Sequence, residues 1–258
     1  MSQELGPSEI TKQLPTTLMG SSVVSLGTTT STMDIAHTEA NRGAPEGTLI
    51  IAETQTAGRG RFSRSWISKP GESLNFTILL RPTLRETPNV NMAASLAIIR
   101  AIESVTQLRA TIKWPNDIQI SGKKLAGILI ESHLDEDGKT YTIIGIGINV
   151  NFDPSTSPHV RQMATSLKRE LDEAVSRLAL LRDFLTQFDK LYAQIRGGRS
   201  VLREWIPHVG TLGKHVEVRW GNRSENGIAK TVDDDGNLIV QRLDGTKISL
   251  PAGEVTLR

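Results

Sequence analysis

Three consecutive strand patterns between residues 111 and 151 are separated only by short turns, and this arrangement most restricts the fold. The segments read "TIKWPNDIQI", "KKLAGILIESHL" and "TYTIIGIGINVN", joined by "SGK" and by "DEDGK". The second connection is typical of a β-hairpin. Because strands and helices do not alternate strictly, the pattern disfavours a doubly wound parallel sheet. We therefore predict an α+β fold with a mixed, largely antiparallel sheet and flanking helices.

The remaining patterns predict one large domain and one small one. Further strands are expected at about 22–28, in "GTLIIAETQ" and in "SLNFTILLRP", and helices at about 33–41, in "NVNMAASLAIIRAIESVTQL" and from 172 to about 196. Residues 1–20 are polar and are interpreted as a poorly ordered lead-in or a short strand. After about residue 208 only short strand patterns remain, divided by turns, which indicates an SH3-like barrel. The predicted domains are thus residues 1–207 and 208–258.

Composition excludes several classes of function. Lys and Arg number 30 against 28 Asp and Glu, so the net charge of +2 gives no overall reason to bind nucleic acid or a membrane. The absence of cysteine rules out disulfides, a thiolate nucleophile and a cysteine-based zinc site. The sequence begins without a secretory pattern, and no apolar run approaches the ~20 residues of a membrane span. We predict a soluble, cytoplasmic protein whose anion-binding sites are local.

The segment "AGRGRFSRSW" at residues 57–66 is the strongest local signal. Its glycines allow a ligand to approach the backbone closely. Arg59, Arg61 and Arg64 offer forked donors suited to phosphate or carboxylate oxygens. The alternative is a solvated surface loop with no ligand. The lack of an accompanying basic stripe makes a nucleic-acid site the weaker interpretation.

Two lysine-containing segments raise a similar choice. In "KWPNDI", Lys113, Asn116 and Asp117 surround a Trp-Pro pair, which either makes a turn or presents polar groups to a ligand. Lys124 begins an apolar strand. It either protects a sheet edge or projects its ammonium group into a cleft.

Glycines alternate with isoleucines in "IGIGINVN", so Gly145 and Gly147 leave one face of a strand bare. Such glycines weaken a strand unless something else fills the space. We predict that a flat ligand lies across them. Neither a P-loop nor a dinucleotide fingerprint is complete, no HExxH motif occurs, and the five histidines are scattered.

Taken together, "TTTSTMD", "ETQTAGRGRFSRSW", "KWPNDI", "KKLAGILIES" and "GIGINVN" resemble the biotin protein ligases in order and spacing, over about residues 25–151. The resemblance implies a catalytic domain similar to class II aminoacyl-tRNA synthetases, followed by an SH3-like domain. It implies that biotin and ATP, with Mg²⁺, form biotinyl-5′-AMP and pyrophosphate. A lysine of a biotin carboxyl carrier protein, a subunit of acetyl-CoA carboxylase or a related enzyme, then displaces AMP. A homodimer is also implied.

The resemblance assigns roles to individual residues. Lys124, Arg59 and Arg61 are the implied catalytic groups, with Lys124 contacting both the biotin carboxyl group and the α-phosphate. The implied biotin site comprises Ser31, Thr32, Gln55, Arg59, Arg61, Trp66, Lys124, Gly127 and Gly145. The implied nucleotide site comprises Arg59, Arg61, Arg64, Lys113, Asn116, Lys124 and Asn149, with Asp117 as a Mg²⁺ ligand.

Two departures from the family pattern bear on function. Many relatives have "GRGRRG", where this chain has Phe62 and Ser63, so one charge and one flexible position are lost. Only about 25 residues precede the first strand, so we expect no N-terminal DNA-binding domain and no repressor function. Two alternatives remain: a lipoate or octanoate ligase or transferase of the same fold, and a non-catalytic biotin-binding regulator.

Overall fold

The computed structural model describes residues 5–153, 163–220, 223–251 and 253–257. The larger sheet contains seven strands: β1 (Val23–Thr29), β2 (Leu49–Gln55), β3 (Ser73–Leu80), β4 (Thr111–Lys113), β5 (Asp117–Ile120), β6 (Lys123–Leu134) and β7 (Thr140–Asn149). Their spatial order is β1-β2-β3-β7-β6-β5-β4. Strands β1 and β2 are parallel, and every other neighbouring pair is antiparallel. The predicted mixed, largely antiparallel sheet is confirmed.

Helices cover both faces of this sheet. They are α1 (Pro7–Thr11), α2 (Thr32–Asn41), α3 (Thr87–Thr106), α4 (Leu167–Leu171), α5 (Arg177–Arg196) and α6 (Leu202–Trp205). Alternate residues of β2 point to opposite faces, as in any strand. Leu49 and Ile51 join the core formed with α3 and α5, whereas Ile50 packs with Met33 and Ala36 of α2. Helix α2 is thereby fixed above the sheet with its first turn at the carboxyl ends of β1 and β2.

The N-terminal segment departs from the sequence prediction. Residues 5–20 contain helix α1, and Ile10 and Met19 are fully buried. The carboxylate of Asp189, in α5, accepts hydrogen bonds from the backbone N–H groups of residues 17–19. The prediction of a poorly ordered lead-in or short strand is therefore wrong for residues 5–20. The apolar residues of this segment are too widely spaced to show the period of a helix or a strand. Its backbone N–H groups are instead satisfied by the Asp189 carboxylate, which is distant in the sequence.

The segment predicted as the strand "TIKWPNDIQI" is a hairpin. Strand β4 ends at Lys113 and pairs antiparallel with β5, Ile112 lying opposite Ile118. The bend lies at Trp114-Pro115, whose peptide bond is cis. A proline has no N–H to donate to a strand ladder, so the strand cannot continue through it.

The last long helix begins later than predicted. Helix α5 starts at Arg177, and Ser176 caps it by accepting a hydrogen bond from the N–H of Ala179. Asp172, where the helix was expected to begin, has a φ of 59° and ends α4 instead. The amphipathic pattern correctly predicts the helix, but residues 172–176 form the connection between α4 and α5.

A small antiparallel domain follows. Its strands are β8 (His215–Trp220), β9 (Arg223–Val232), β10 (Leu238–Gln241), β11 (Lys247–Leu250) and β12 (Glu254–Leu257). They form a five-stranded sheet in the order β11-β10-β9-β8-β12, which confirms the predicted small β domain. Buried Trp114 connects it to the larger sheet, because its indole N–H donates to the carbonyl of Gly236 at 2.9 Å. The division at residues 207 and 208 stays a prediction.

None of the helices in the described segments has the length and apolar character that a membrane span requires.

Candidate active site

One cavity of about 700 Å³ opens where the carboxyl ends of several strands meet the small domain. Its walls come from the first turn of α2, the loop at residues 57–66, the β4–β5 hairpin, β6, β7 and the beginning of β12. The fourteen residues to which the resemblance assigns a role all lie in this wall: Ser31, Thr32, Gln55, Arg59, Arg61, Arg64, Trp66, Lys113, Asn116, Asp117, Lys124, Gly127, Gly145 and Asn149. The structure therefore brings together residues spread over more than a hundred positions, while their individual roles stay predictions.

One end of the cavity is a fixed polar cluster. Ser31 caps α2, and its hydroxyl accepts a hydrogen bond from the N–H of Met33 at 3.3 Å. The amide oxygen of Gln55 accepts from the N–H of Thr32 at 2.8 Å and lies 3.1 Å from its hydroxyl. That hydroxyl also lies 2.8 Å from the hydroxyl of Thr77. Buried groups tied together in this way present hydrogen-bonding atoms to a ligand at defined positions.

Protein side chains fill the bare face of β7. A methyl group added at Gly147 would lie 2.3 Å from the Trp66 ring, and one added at Gly145 would lie 2.7 Å from the sulfur of Met33. The Trp66 indole N–H donates to the amide oxygen of Asn75 at 2.9 Å. The glycines do mark a close approach, and both also line the cavity, so the prediction that a flat ligand lies across them stays a prediction. The occupants are Trp66 and Met33, which form the cavity wall.

The arginine segment is a compact loop rather than an extended one. Its ends are joined by a hydrogen bond from the N–H of Trp66 to the carbonyl of Gly58 at 2.9 Å, and its tip by one from Gly60 to Arg64 at 2.7 Å. At the tip, Phe62 has a φ of 56° and is 53% exposed. Left-handed backbone is uncommon for a bulky residue and natural for glycine.

Each arginine of the loop has an oxygen partner. Arg59 pairs with Asp34 in the first turn of α2, and Arg64 pairs with Glu254 of β12. Arg61 donates to the side-chain oxygen of Asn116 at 3.0 Å and to the carbonyl of Gly253 at 3.3 Å. The loop is therefore held between the α2 end and the small domain by contacts that an incoming anion could replace.

Burial and pairing shift the pKa values of two groups in this network. Burial lowers the pKa of the Arg61 guanidinium, while the nearby carboxylates of Asp117 and Glu254 act in the opposite direction. For Asp34, burial acts to raise the pKa, but hydrogen bonds from Arg59 and Thr30 outweigh it and the pKa is lowered. Asp34 therefore remains an anion that holds Arg59.

Lys124 lies beside the arginine loop. Its ammonium nitrogen is 2.6 Å from a carboxylate oxygen of Asp117 and 6.0 Å from the centre of the Trp66 ring. A methyl group at Gly127 would lie 3.2 Å from that nitrogen, so glycine leaves room for the lysine chain. The ammonium group thus projects into the cavity, as one of the two sequence interpretations required, rather than protecting an edge.

The two asparagines serve as wall supports. The amide nitrogen of Asn116 donates to the carbonyl of Ile128 at 2.6 Å, and that of Asn149 donates to the carbonyl of Thr165 at 3.0 Å. Sequence reasoning did not identify four residues that complete the site: Asp34, Asn75, Thr77 and Glu254. Asp34 stands within the quoted "TTTSTMD" and could have been found as a charge at a helix start. No local signal marks Glu254.

Comparison with known proteins places this geometry in a family. Residues 26–151 match the Biotin/lipoate A/B protein ligase family, and residues 211–258 match the Biotin protein ligase C terminal domain. The chain is 38% identical over 249 residues to the bifunctional ligase/repressor BirA of Bacillus subtilis (strain 168), covering 95% of this chain and 77% of that protein. The chain belongs to the biotin protein ligase family.

Other biotin protein ligases agree in sequence and in structure. The biotin–[acetyl-CoA-carboxylase] ligase of Paracoccus denitrificans is 31% identical, with 80% of this chain and 88% of that protein covered. The Aquifex aeolicus biotin protein ligase in complex with biotin and ATP superposes with a TM-score of 0.78 at 26% identity, over 92% of this chain and 99% of that one. The Leishmania major enzyme with biotinyl-5-AMP gives a TM-score of 0.62 at 27% identity, over 90% and 99%. The family predicted from the motifs is confirmed.

Proposed function

We propose that this chain attaches biotin to a specific lysine of a biotin carboxyl carrier protein through biotinyl-5′-AMP, as a biotin–[acetyl-CoA-carboxylase] ligase. The observation that carries the proposal is that Lys124, Arg59 and Arg61 share a cavity with the polar cluster of Ser31, Thr32 and Gln55. Cationic and neutral hydrogen-bonding groups are thus supplied together. A biotin molecule, with a polar ureido head and a carboxylate tail, needs this combination.

In the first step, a carboxylate oxygen of biotin attacks the α-phosphorus of ATP. The bond from that phosphorus to the oxygen between the α- and β-phosphates breaks, and pyrophosphate leaves with the electron pair of that bond. Two anions must be held within bonding distance, and negative charge builds up on the phosphate oxygens. Lys124 and the loop arginines offset that charge from fixed positions, which is the most effective form of electrostatic stabilisation.

In the second step, the amine nitrogen of the carrier lysine attacks the acyl carbon of biotinyl-5′-AMP. The bond from that carbon to the phosphate oxygen breaks, AMP leaves, and the new amide nitrogen loses a proton. The mixed anhydride would hydrolyse if water reached it first. We assign the exclusion of water to the loop at residues 57–66, which ends at Trp66, because a loop that covers a reactive intermediate suppresses side reactions.

The nucleotide end of the cavity suits a hard cation. Asp117 and Asn116 provide carboxylate and amide oxygens, which Mg²⁺ prefers, although Asp117 is paired with Lys124 in this structure. Bound with ATP, Mg²⁺ would supply additional neutralisation of the phosphates.

A homodimer and a cytoplasmic location are further parts of the proposal. Analytical ultracentrifugation of the purified chain tests the homodimer.

One assay tests the proposal, and two further measurements test its alternatives. The protein is incubated with biotin, ATP, Mg²⁺ and a carrier domain, and intact-mass analysis follows the carrier. We expect one added biotin, and none on a carrier whose acceptor lysine is changed to arginine. Formation of a lipoyl-adenylate but no biotinyl-adenylate would favour the lipoate ligase alternative. Sequence-specific retardation of duplex DNA, without carrier modification, would favour a regulator.

A further inference from the structure

A second group of potential ligands lies outside the cavity, between α2 and the sheet. Helix α2 supplies His37, and β6 supplies Glu131 and His133. The Nε2 atoms of His37 and His133 lie 3.3 and 3.6 Å from the same Glu131 oxygen. In the part of the chain that the structure describes, none of these three residues lines the cavity.

These separations are close to the distances between ligands of a single metal ion. The 3.6 Å separation is too long for a hydrogen bond, and the 3.3 Å separation is a long one. Ligand atoms held tetrahedrally at about 2.0–2.1 Å from Zn²⁺ lie roughly 3.3–3.5 Å apart. The three ligand atoms here all lie within 4.8 Å of one another, so small side-chain rotations bring them to the separations of tetrahedral ligands.

The surroundings also suit a metal centre. The Nδ1 atom of His37 lies 2.9 Å from the hydroxyl of Tyr141, which directs Nε2 toward Glu131. Such an outer hydrogen bond normally fixes the ring of a metal-binding histidine. The side chains of His37, Glu131 and His133 are 26, 31 and 44% exposed, which gives an ion access and leaves room for a water ligand.

We propose that His37, Glu131 and His133 bind one divalent transition-metal ion of the Zn²⁺ class. Two imidazoles and one carboxylate are the donors that such ions take in proteins, whereas Mg²⁺ and Ca²⁺ select oxygen ligands. The bound ion joins α2 to β6. Because a ligand that binds only the folded state stabilises it, Zn²⁺ should raise the melting temperature.

The test uses the untagged protein, stripped of metal by a chelator and titrated with Zn²⁺ against a chromogenic competitor. We expect one equivalent to bind. Changing the most exposed ligand, His133→Gln, should weaken binding at least about tenfold, and Tyr141→Phe should weaken it by about tenfold through loss of the outer hydrogen bond. His215→Ala, at an exposed histidine of the small domain, is the matched control and should bind as the unchanged protein does.

Substitution with Co²⁺ provides a second readout, because tetrahedral Co²⁺ absorbs visible light and His133→Gln should abolish that absorption. No zinc uptake by the unchanged protein would overturn the proposal. Uptake that is the same in His133→Gln, or lost equally in His215→Ala, would also overturn it. Circular dichroism of each variant confirms that it is folded, so a loss of binding reports on the ligand set.

Discussion

The ammonium nitrogen of Lys124 lies 2.6 Å from a carboxylate oxygen of Asp117, and both face the cavity. The side chains of Lys124 and Asp117 are 38% and 25% exposed, so the pair contributes little to stability. On the proposed mechanism its value is positional, because Asp117 holds the lysine charge where the phosphate and the carboxylate would meet. An anionic ligand would take over Lys124 and release Asp117 for a cation.

Removal of the lysine should separate catalysis from folding. For Lys124→Ala we expect a loss of adenylate formation of roughly a hundredfold or more, on the order of 3 kcal/mol, because the lysine acts on charge that develops in the transition state. The melting temperature should be unchanged, since no core side chain is lost. Single-turnover pyrophosphate release measures the step, with Lys123→Ala as the control. Release at a near-normal rate from Lys124→Ala would remove the catalytic role.

A methyl group beneath the indole should disturb the cavity wall. In Gly147→Ala the new carbon meets the Trp66 ring, so the ring must move and give up its hydrogen bond to Asn75. We expect weaker biotin binding by calorimetry and a loss of about 1–3 kcal/mol in urea unfolding, as for other overpacked sites. Gly27→Ala is the matched control, because a methyl group there meets nothing within 4 Å. Equal biotin affinities in the two variants would contradict this view of Trp66.

Release of Arg64 should affect nucleotide binding rather than stability. Glu254→Gln removes the carboxylate that pairs with Arg64, and the pair is exposed on both sides. We expect the KM for ATP to fall a few-fold at low salt, with kcat unchanged, because one more guanidinium becomes available to phosphate. Glu225→Gln breaks a different arginine pair of the same small domain and serves as the control. A higher KM for ATP in Glu254→Gln would show that the pair holds the loop in its useful position.

The N-terminal segment should depend on one carboxylate. Asp189 is 8% exposed and accepts three backbone N–H groups and the hydroxyl of Thr17. At pH 7 we expect Asp189→Asn to lose about 2–3 kcal/mol of unfolding free energy, because an amide nitrogen would face those donors. Asp172→Asn, at an exposed left-handed position, should lose far less.

The same carboxylate sets a pH dependence with a definite sign. Burial acts to raise the pKa of Asp189, but the hydrogen bonds from Thr17, Met19 and Leu18 outweigh it and the pKa is lowered. A lowered folded pKa gives stability that is present above the unfolded pKa of about 3.9 and is lost as pH falls through the folded value. Urea titrations at pH 7, 5 and 3 should therefore show the difference between Asp189→Asn and the unchanged protein constant from 7 to 5 and smaller at 3. A constant difference down to pH 3 would contradict this account.

Local patterns were sufficient to predict the sheet and most of the cavity. Strands and turns depend on neighbouring residues, so the antiparallel order of β5, β6 and β7 could be derived from spacing alone. The site residues were found because they stand within family motifs, at element ends, in the arginine loop or at strand glycines. Strand and turn patterns and family motifs are both carried by short segments of sequence.

Contacts between distant segments could not be predicted in this way. Arg64 and Glu254 are 190 positions apart, and His37 and Glu131 are 94 apart. Trp66 occupies the space above Gly147 because the loop folds back over β7, which no periodicity encodes. The burial of residues 5–20 likewise depends on a carboxylate in α5, which the local composition of that segment does not reveal.

Strand β12 places Gly253, Glu254 and Val255 in the cavity wall, yet it lies at the margin of its sheet with β8 as its neighbour. Marginal strands open at lower free-energy cost than central ones. On the proposed mechanism, fraying of β12 would release the arginine loop from the Gly253 carbonyl and the Glu254 carboxylate and admit water to biotinyl-5′-AMP. We therefore expect the opening of this strand, which contributes no catalytic group, to raise the fraction of each turnover lost as free biotin and AMP.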